Sequence, residues 1–212
     1  AVGPDLSQLL LGSEGTLGIV TAARLRLLPL HTSRTTILLG YGSTEEVVRV
    51  VQKIRHQFDS LDAAELFYED GANLVAEAFN VAIPFVAPVY LLLEFSADVD
   101  LASDIESHLA QSNFAGLSAV AQDELGRAKL WRLREEHTAA ISMHGVPHKF
   151  DVTVAVSDLP KFIEKTRQGI SETNADWTVF IFGHAADGNM HVNVLGPSAT
   201  DELVDEVVLQ VV

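Results

Sequence analysis

The chain has 212 residues, of which 48% are hydrophobic and 20% are charged, and its formal net charge is −15 at pH 7. This composition excludes an intrinsically disordered chain, and the length suffices for one well-packed domain with a small annex. The acidic balance opposes binding to nucleic acids or anionic membranes, because such binding needs clusters of Lys and Arg.

Cysteines and long uninterrupted apolar segments are both missing from the sequence. Without cysteine there is neither a disulfide framework nor thiolate chemistry, so a reducing compartment is expected. That compartment is the cytoplasm, or the mitochondrion if the source is eukaryotic. The apolar run Val81–Phe95 contains Pro84 and Pro88, and no membrane-spanning helix is predicted.

The first 30 residues contain a glycine-rich stretch, Gly12–Ile19, followed by apolar residues at Ala23, Leu25 and Leu27. The glycines predict a turn, and the alternation behind it predicts a strand. The pattern matches neither a Walker nor a Rossmann loop, since no Gly-Lys-Ser/Thr follows and the glycines do not open a helix. Taken alone, the stretch indicates only a glycine-rich turn.

The next 90 residues alternate predicted strands with predicted helices. A strand at Thr35–Tyr41 precedes Ser43-Thr-Glu-Glu46, a capping box that starts a helix with a stripe of valines. Further strands are predicted at 63–68, 89–95 and 118–121, helices at 70–79 and 101–112, and a proline-rich loop at 81–88.

A long helix is predicted at Glu124–His144, with Trp131, Arg134 and Thr138 on one face because they are spaced by three and four residues. The alternating stretch Lys149–Val156 predicts a strand that carries Lys149, Asp151 and Thr153 on one face. A helix capped by Ser157, with Pro160 in its first turn and an end near Glu172, and a last helix at Thr200–Val212 are also predicted.

Between these last two helices, residues 178–195 predict an antiparallel hairpin, because Asp187-Gly188 is typical of a two-residue turn between strands. With these two residues at the centre of the turn, His184 lies directly across from His191. Directly opposed residues share a sheet face, and Asn193 points to the same side. Two imidazoles and a carboxamide are therefore expected to converge.

An imidazole pair at this separation can bind one divalent ion and leave positions open for a carboxylate, water or substrate. The alternative is an ordinary hairpin whose histidines make hydrogen bonds to their neighbours. Two ligands do not define a metal site, so the spacing leaves both interpretations open.

The string His184–His191 resembles the His-x-x-Asp-Gly-Asn-x-His motif of the FAD-linked D-2-hydroxyacid dehydrogenases, a family with members that act on D-2-hydroxyglutarate, D-lactate or glycolate. Ala186 stands where that family usually has glycine. Gly12–Ile19 is similar to the last part of the FAD-binding domain in the same family. The resemblance covers nearly the whole chain.

The resemblance implies a role for several residues of this sequence. His184 and His191 match metal ligands, with zinc as the expected ion, and Asn193 matches an asparagine beside the substrate. The residues that match positions holding a substrate carboxylate are Arg134, Thr138 and Lys149. Those that match the FAD-binding domain are Gly12, Ser13, Gly15, Thr16, Gly18 and Ile19.

Without the family, the sequence indicates that Arg134 and Thr138 form an exposed pair on a helix. It also indicates that Lys149 lies at the start of a strand, where it can pair with Asp151. The family's third metal ligand and its histidine base belong to a Glu-His-Gly motif that does not occur in this sequence. No catalytic residue is therefore assigned. We expect the motif beyond Val212, and a chain that binds neither FAD nor metal tightly by itself.

The resemblance also implies a fold. It predicts an α+β, ferredoxin-like substrate domain at 31–212, with an antiparallel sheet and helices on one face, truncated at its end and preceded by a remnant of an FAD-binding domain at 1–30. Because strands and helices alternate, a doubly wound α/β sheet is the alternative.

The implied reaction is oxidation of a D-2-hydroxyacid, preferably D-2-hydroxyglutarate, to the 2-oxoacid, with a hydride passed to FAD. D-lactate or glycolate is the alternative substrate, and a non-catalytic domain with a structural histidine pair is an alternative of another class. The expected partners are the small-molecule substrate and an electron acceptor that the sequence does not identify, and a homodimer is left open.

Overall fold

The computed structural model describes residues 6–27, 30–111, 116–198 and 200–212. It divides into two compact units, Ala1–Leu30 and His31–Val212. No helix among the described residues combines the length and the apolar character needed to span a bilayer.

The first unit contains a short helix, α1 (Leu6–Leu10), followed by turns through residue 17. The predicted strand around Ala23, Leu25 and Leu27 is wrong, because the described residues from 18 to 27 have irregular backbone. A strand needs a neighbour that accepts and donates its backbone hydrogen bonds, and no described strand pairs with residues 18–27. Ile19 and Leu27 are largely exposed.

The second unit is built on a seven-stranded sheet in the order β4-β1-β3-β2-β6-β7-β5. Each pairing of described strands is antiparallel, so the predicted antiparallel α+β class is confirmed and the doubly wound alternative is wrong. The strands are β1 (Ser33–Tyr41), β2 (Leu61–Tyr68), β3 (Val89–Ala97), β4 (Ser118–Ala121), β5 (His148–Thr153), β6 (Thr178–His184) and β7 (Asn189–Leu195).

Helices cover both faces of this sheet, and the expectation of helices on one face only is wrong. Strands β1 and β3 are buried along almost their whole length, so each face needs an apolar cover. One face packs against α2 (Thr44–Gln57), α4 (Ala102–Gln111), α7 (Leu159–Thr173) and α8 (Glu202–Val211), and the other against α3 (Glu69–Phe79), α5 (Glu124–Glu135) and α6 (His137–Ser142).

Local sequence signals account for the start of α2. Ser43 accepts a hydrogen bond from the Glu46 backbone N–H, and the Glu46 carboxylate accepts one from the Ser43 N–H. These reciprocal bonds satisfy donors that a helix start leaves free. The predicted capping box is therefore confirmed.

Three predicted boundaries in the second half of the chain are wrong. The helix predicted at 124–144 is interrupted at Glu136, where ψ is −1°, far from the usual value of an α-helix. Strand β5 ends at Thr153 and does not extend to Val156. Helix α7 follows a 3-10 turn, and Ser157 does not cap it.

Candidate functional site

Strands β6 and β7 bring the two predicted metal ligands to one face of the sheet. His184 pairs with Asn189 and His191 pairs with Phe182, so the histidines are diagonal neighbours. Their ring centroids lie 5.5 Å apart. The prediction that they share a face of an antiparallel hairpin is confirmed, and the prediction that they oppose each other directly is wrong by two residues.

The difference in register arises in the loop at 185–188. The Ala185 N–H donates to the Ala64 carbonyl of β2 at 2.8 Å, and its side chain is fully buried. Ala185 thus remains tied to the neighbouring strand, and the loop has four residues instead of two. Ala186 has no positive φ, so alanine is accommodated where the similar family usually has glycine.

A buried carboxylate that the sequence analysis missed joins two of the predicted residues. Glu65 of β2 pairs across the sheet with His184, and only 6% of its side chain is exposed. Its Oε1 lies 2.6 Å from Nδ1 of His184, and its Oε2 accepts a hydrogen bond of 2.7 Å from Nε of Arg134. The one available signal is a glutamate between the apolar residues Ala64 and Leu66 of a strand.

His191 has a carboxylate partner as well. Asp151 of β5 pairs with His191 across the sheet, and its Oδ1 lies 2.5 Å from Nδ1 of the ring. The side chain of Asp151 is 72% exposed, which distinguishes it from the buried Glu65. Among the described residues, Asp151 forms its ion pair with His191 and none with Lys149, so the alternative pairing is not supported.

The four predicted substrate residues do not form one hydrogen-bonded cluster. Asn193 is buried on the same face as His191, and it pairs across the sheet with Lys149, which is exposed. Arg134 of α5 lies over the ring of Phe182, 4.7 Å from its centroid. Thr138 is exposed on α6. The sheet therefore places Lys149 and Asn193 together, whereas Arg134 is linked to His184 by Glu65, which contacts both side chains.

Below this surface lies a second residue that the sequence analysis missed, the buried His137. It packs against Phe67 and Phe182 at ring-centroid distances of 5.3 and 4.8 Å. Burial lowers the pKa of His137 to about 3, and the positive charge of Arg134 adds a smaller lowering effect. Hydrogen bonds with the main chain of Leu133 and Arg134 oppose this shift. His137 is therefore a neutral core residue at physiological pH.

A second buried glutamate fixes the other end of α5. Glu94 of β3 accepts hydrogen bonds from Arg127, Trp131 and Thr36, at 2.6 Å for Nε of Arg127 and for Nε1 of Trp131. Burial alone would raise the pKa of Glu94, but these three donors outweigh it and hold the pKa below its usual value. Trp131 is thus part of an internal ion-pair cluster.

The arrangement offers two imidazoles as metal ligands. Both Nδ1 atoms face carboxylates, which leaves both Nε2 atoms for other partners, and this is the usual environment of metal-bound histidine. Across the described part of the chain, no group of three or more His, Cys, Asp or Glu residues is placed to hold a metal ion. The residues fit two ligand positions, and other groups would have to complete the site.

A cavity of about 250 Å³ opens beside His184, on the side of β2. Asp62 and Asp187 line it together with Glu65. Carboxylates in these positions repel an anionic ligand, so this cavity is unsuited to an organic acid. The β5 side carries the cation Lys149 beside Asn193, together with the carboxylate of Asp151.

In the first unit, the residues predicted to contact FAD form two consecutive turns. Gly12 and Gly15 have φ values of +76° and +82°, which glycine adopts without strain. The Thr16 N–H donates to the Ser13 carbonyl at 2.8 Å. A Cβ at either glycine would meet no atom within 4 Å, so the backbone there is open to a ligand.

Comparison with known proteins places this geometry in context. The family model "FAD linked oxidases, C-terminal domain" matches residues 30–212. A D-2-hydroxyglutarate dehydrogenase of Stutzerimonas stutzeri (strain A1501) is 33% identical over 208 residues, which cover 95% of this chain and 44% of that protein. A probable mitochondrial D-lactate dehydrogenase of Danio rerio is 32% identical over 210 residues, or 96% of this chain and 41% of that protein.

Among solved structures, an alkyldihydroxyacetonephosphate synthase matches with a TM-score of 0.67 and 13% sequence identity, over 100% of this chain and 44% of that one. At this identity the similarity shows the fold alone. The chain spans less than half the length of each of these three proteins.

Proposed function

The chain belongs to the family of C-terminal domains of FAD-linked oxidases, and from this premise we propose that it binds substrate in a dehydrogenase that oxidises a D-2-hydroxyacid to the 2-oxoacid. The favoured substrate is D-2-hydroxyglutarate or a similar dicarboxylate. One observation carries the proposal: His184, His191 and Asn193 share a sheet face with Lys149. A relative named D-2-hydroxyglutarate dehydrogenase aligns with 95% of the chain.

Lys149 and Asn193 are the residues best placed to hold the acid. They are cross-strand partners, so an ammonium and a carboxamide stand side by side next to His191. Charge-assisted hydrogen bonds of this kind orient a carboxylate. Arg134 donates its Nε to Glu65, and a guanidinium has two further nitrogens that can donate hydrogen bonds. In the proposal, Arg134, Thr138 and Lys149 bind the distal carboxylate, and Asn193 lies beside the substrate.

The proposal includes a divalent metal, with zinc as the expected ion, held by Nε2 of His184 and of His191. A bound zinc ion would supply Lewis acidity towards the substrate hydroxyl. The two imidazoles fit this role because carboxylates already hold both Nδ1 atoms. The remaining ligand and the catalytic base are not assigned to any residue of this chain.

The proposal also includes FAD, which would accept the hydride removed from the substrate. In the first unit, Gly12, Ser13, Gly15, Thr16, Gly18 and Ile19 are the proposed contacts. Open space at the two left-handed glycines supports a close backbone approach to the nucleotide. We regard residues 1–30 as the last part of an FAD-binding domain and 31–212 as the substrate and metal domain.

We further propose that the first four strands of the sheet form a ferredoxin-like half. Their order, β4-β1-β3-β2, and the position of α2 and α4 on one face support this assignment. The protein would act in the cytoplasm of a bacterium, or in the mitochondrion of a eukaryote, in line with relatives from both.

A second candidate substrate is D-lactate, which is favoured by the similarity to the probable D-lactate dehydrogenase of Danio rerio. A non-catalytic role is a third candidate, in which the carboxylate partners of His184 and His191 only fix the hairpin. That candidate is supported by the two short carboxylate contacts.

The experiment uses the complete protein that contains this chain, purified with its flavin. Reduction of an artificial electron acceptor is measured with D-2-hydroxyglutarate, D-malate and D-lactate, before and after a chelator and after added zinc. We expect D-2-hydroxyglutarate to give the largest kcat/KM, and zinc to restore the activity lost to the chelator. A larger kcat/KM for D-lactate would favour the second candidate, and a protein without flavin or turnover would favour the third.

A further inference from the structure

We propose that Glu65 is a positioning residue: its buried carboxylate fixes the tautomer of His184 and the direction of Arg134 at the same time. The inference deepens the proposed function, on which its relevance to metal and substrate rests. It links the proposed metal ligand and the proposed carboxylate-binding guanidinium through one side chain of β2.

The contacts of Glu65 determine which ring nitrogen of His184 carries the hydrogen. A carboxylate that pairs with arginine only accepts hydrogen bonds. Because Oε1 of Glu65 lies 2.6 Å from Nδ1 of His184, that nitrogen must be the donor. The lone pair of the neutral ring is then on Nε2. Imidazole binds a metal through the nitrogen without hydrogen, so Glu65 keeps Nε2 available.

Arg134 prevents Glu65 from turning away. Its Nε donates to Oε2 at 2.7 Å, and the two side chains are 11% and 6% exposed. Each oxygen of the largely buried carboxylate therefore has its own donor. Breaking a buried ion pair is costly because it leaves an uncompensated charge, so the carboxylate stays where both partners need it.

Asp151 gives His191 a contact of the same chemistry in a different environment. It is 72% exposed, so water can replace its contact and a substituted side chain can rotate. We therefore expect His184 to depend on the negative charge of Glu65, and His191 to depend little on that of Asp151. This contrast supplies a matched control within one sheet.

The test is Glu65→Gln in the 212-residue chain, with Asp151→Asn as the control. A buried glutamine has one acceptor oxygen, and the Nε–H of Arg134 requires it. The amide NH2 then points at Nδ1 of His184 and can only donate, which forces the hydrogen to Nε2. Two-bond 15N–1H correlation spectra at pH 8, assigned with His184→Ala, distinguish the two tautomers.

We expect the Nδ1–H tautomer of His184 in the wild type and in Asp151→Asn, and the Nε2–H tautomer in Glu65→Gln. The double variant Glu65→Gln with Arg134→Met frees the glutamine oxygen, so it should restore Nδ1–H. Ring signals of the buried His137 report whether each variant is folded. If Glu65→Gln unfolds the chain, the wild-type tautomer still decides the question, because an Nε2–H ring there would overturn the inference.

Zinc affinity of the complete protein provides the second measurement. Loss of an outer partner of a metal ligand lowers affinity about 10- to 100-fold. We expect a loss of this size for Glu65→Gln and a smaller one for Asp151→Asn, because water can replace the exposed Asp151. An Nε2–H ring in the wild type, or an unchanged ring in Glu65→Gln, would overturn the inference. A wild type that shows the expected tautomer but binds no zinc would instead contradict the proposed function.

Discussion

The imidazole of His137 packs against the ring of Phe182, with 4.8 Å between the ring centroids, and only 1% of the residue is exposed. The guanidinium of Arg134 lies over the same ring, 4.7 Å from its centroid. The aromatic ring of Phe182 beside the candidate site thus packs against a histidine that is uncharged at physiological pH. This relationship makes the stability of the domain dependent on pH.

The first prediction is that the domain loses stability as the pH falls from 7 to 5. The folded-state pKa of His137 is lowered to about 3, while the unfolded chain binds the proton near pH 6.5. The contribution of His137 is therefore complete above pH 6.5 and decreases as the pH falls towards 3. We expect a loss of about 2 kcal/mol between pH 7 and pH 5, measured by urea unfolding.

The control for this prediction is His137→Leu, which cannot titrate at this position. Its free energy of unfolding should be lower at pH 7 because a buried ring is lost, but it should decrease less between pH 7 and pH 5. An equal decrease in both proteins would show that other groups cause the pH dependence.

The second prediction compares two arginines of α5. Arg127→Met leaves the carboxylate of Glu94, whose side chain is 8% exposed, without its cation, and we expect a loss of about 3 kcal/mol. Arg132→Met removes an exposed pair with Glu136 at 3.7 Å and should cost less than about 1 kcal/mol. Urea unfolding measures both, and similar losses would contradict the difference in burial.

The third prediction concerns the loop that sets the histidine register. Gly188 has a φ of +82°, and a Cβ there would collide with the Val154 carbonyl. We expect Gly188→Ala to cost more than the roughly 1–2 kcal/mol of left-handed strain alone. Gly145→Ala is the control, because φ is +142° there but the nearest atom is 3.6 Å away. Thermal unfolding with equal losses would exclude the clash.

The shared face of the two histidines could be predicted because it depends on local information. Side chains alternate along a strand, and Asp187-Gly188 indicates a chain reversal. A shift of the register by two residues leaves the facing of His184 and His191 unchanged. The cross-strand partners of the two histidines could not be predicted. The loop length depends on a backbone hydrogen bond from Ala185 to Ala64, which belongs to a strand distant in sequence.

Glu65 could not be assigned to the site from the sequence for the same reason. It contacts His184 across 119 residues of chain, and no periodic pattern links the two positions. The irregular backbone at 18–27 is the opposite case. Ala23, Leu25 and Leu27 alternate as in a strand, but a sequence pattern cannot show whether a neighbouring strand is present.

The last prediction tests how the acid substrate is recognised. In the proposed function, Lys149 and Arg134 provide a second anion site beside the metal site, which a monocarboxylate such as lactate would leave empty. Lys149 pairs with Asn193 across the sheet, and Asp151 contacts His191. The carboxylate of Asp151 therefore forms its ion pair with His191 and not with the ammonium of Lys149. A dicarboxylate should therefore depend on Lys149 more strongly than a monocarboxylate.

In the complete protein, we expect Lys149→Ala to remove one charge-assisted contact worth about 1.5–3 kcal/mol. This lowers kcat/KM for D-2-hydroxyglutarate about 10- to 100-fold, and leaves kcat/KM for D-lactate nearly unchanged. Lys53→Ala, an exposed lysine of α2, is the control for the loss of a positive charge and should affect neither substrate. Equal losses on both substrates, or a wild type that prefers D-lactate, would show that Lys149 does not bind a distal carboxylate.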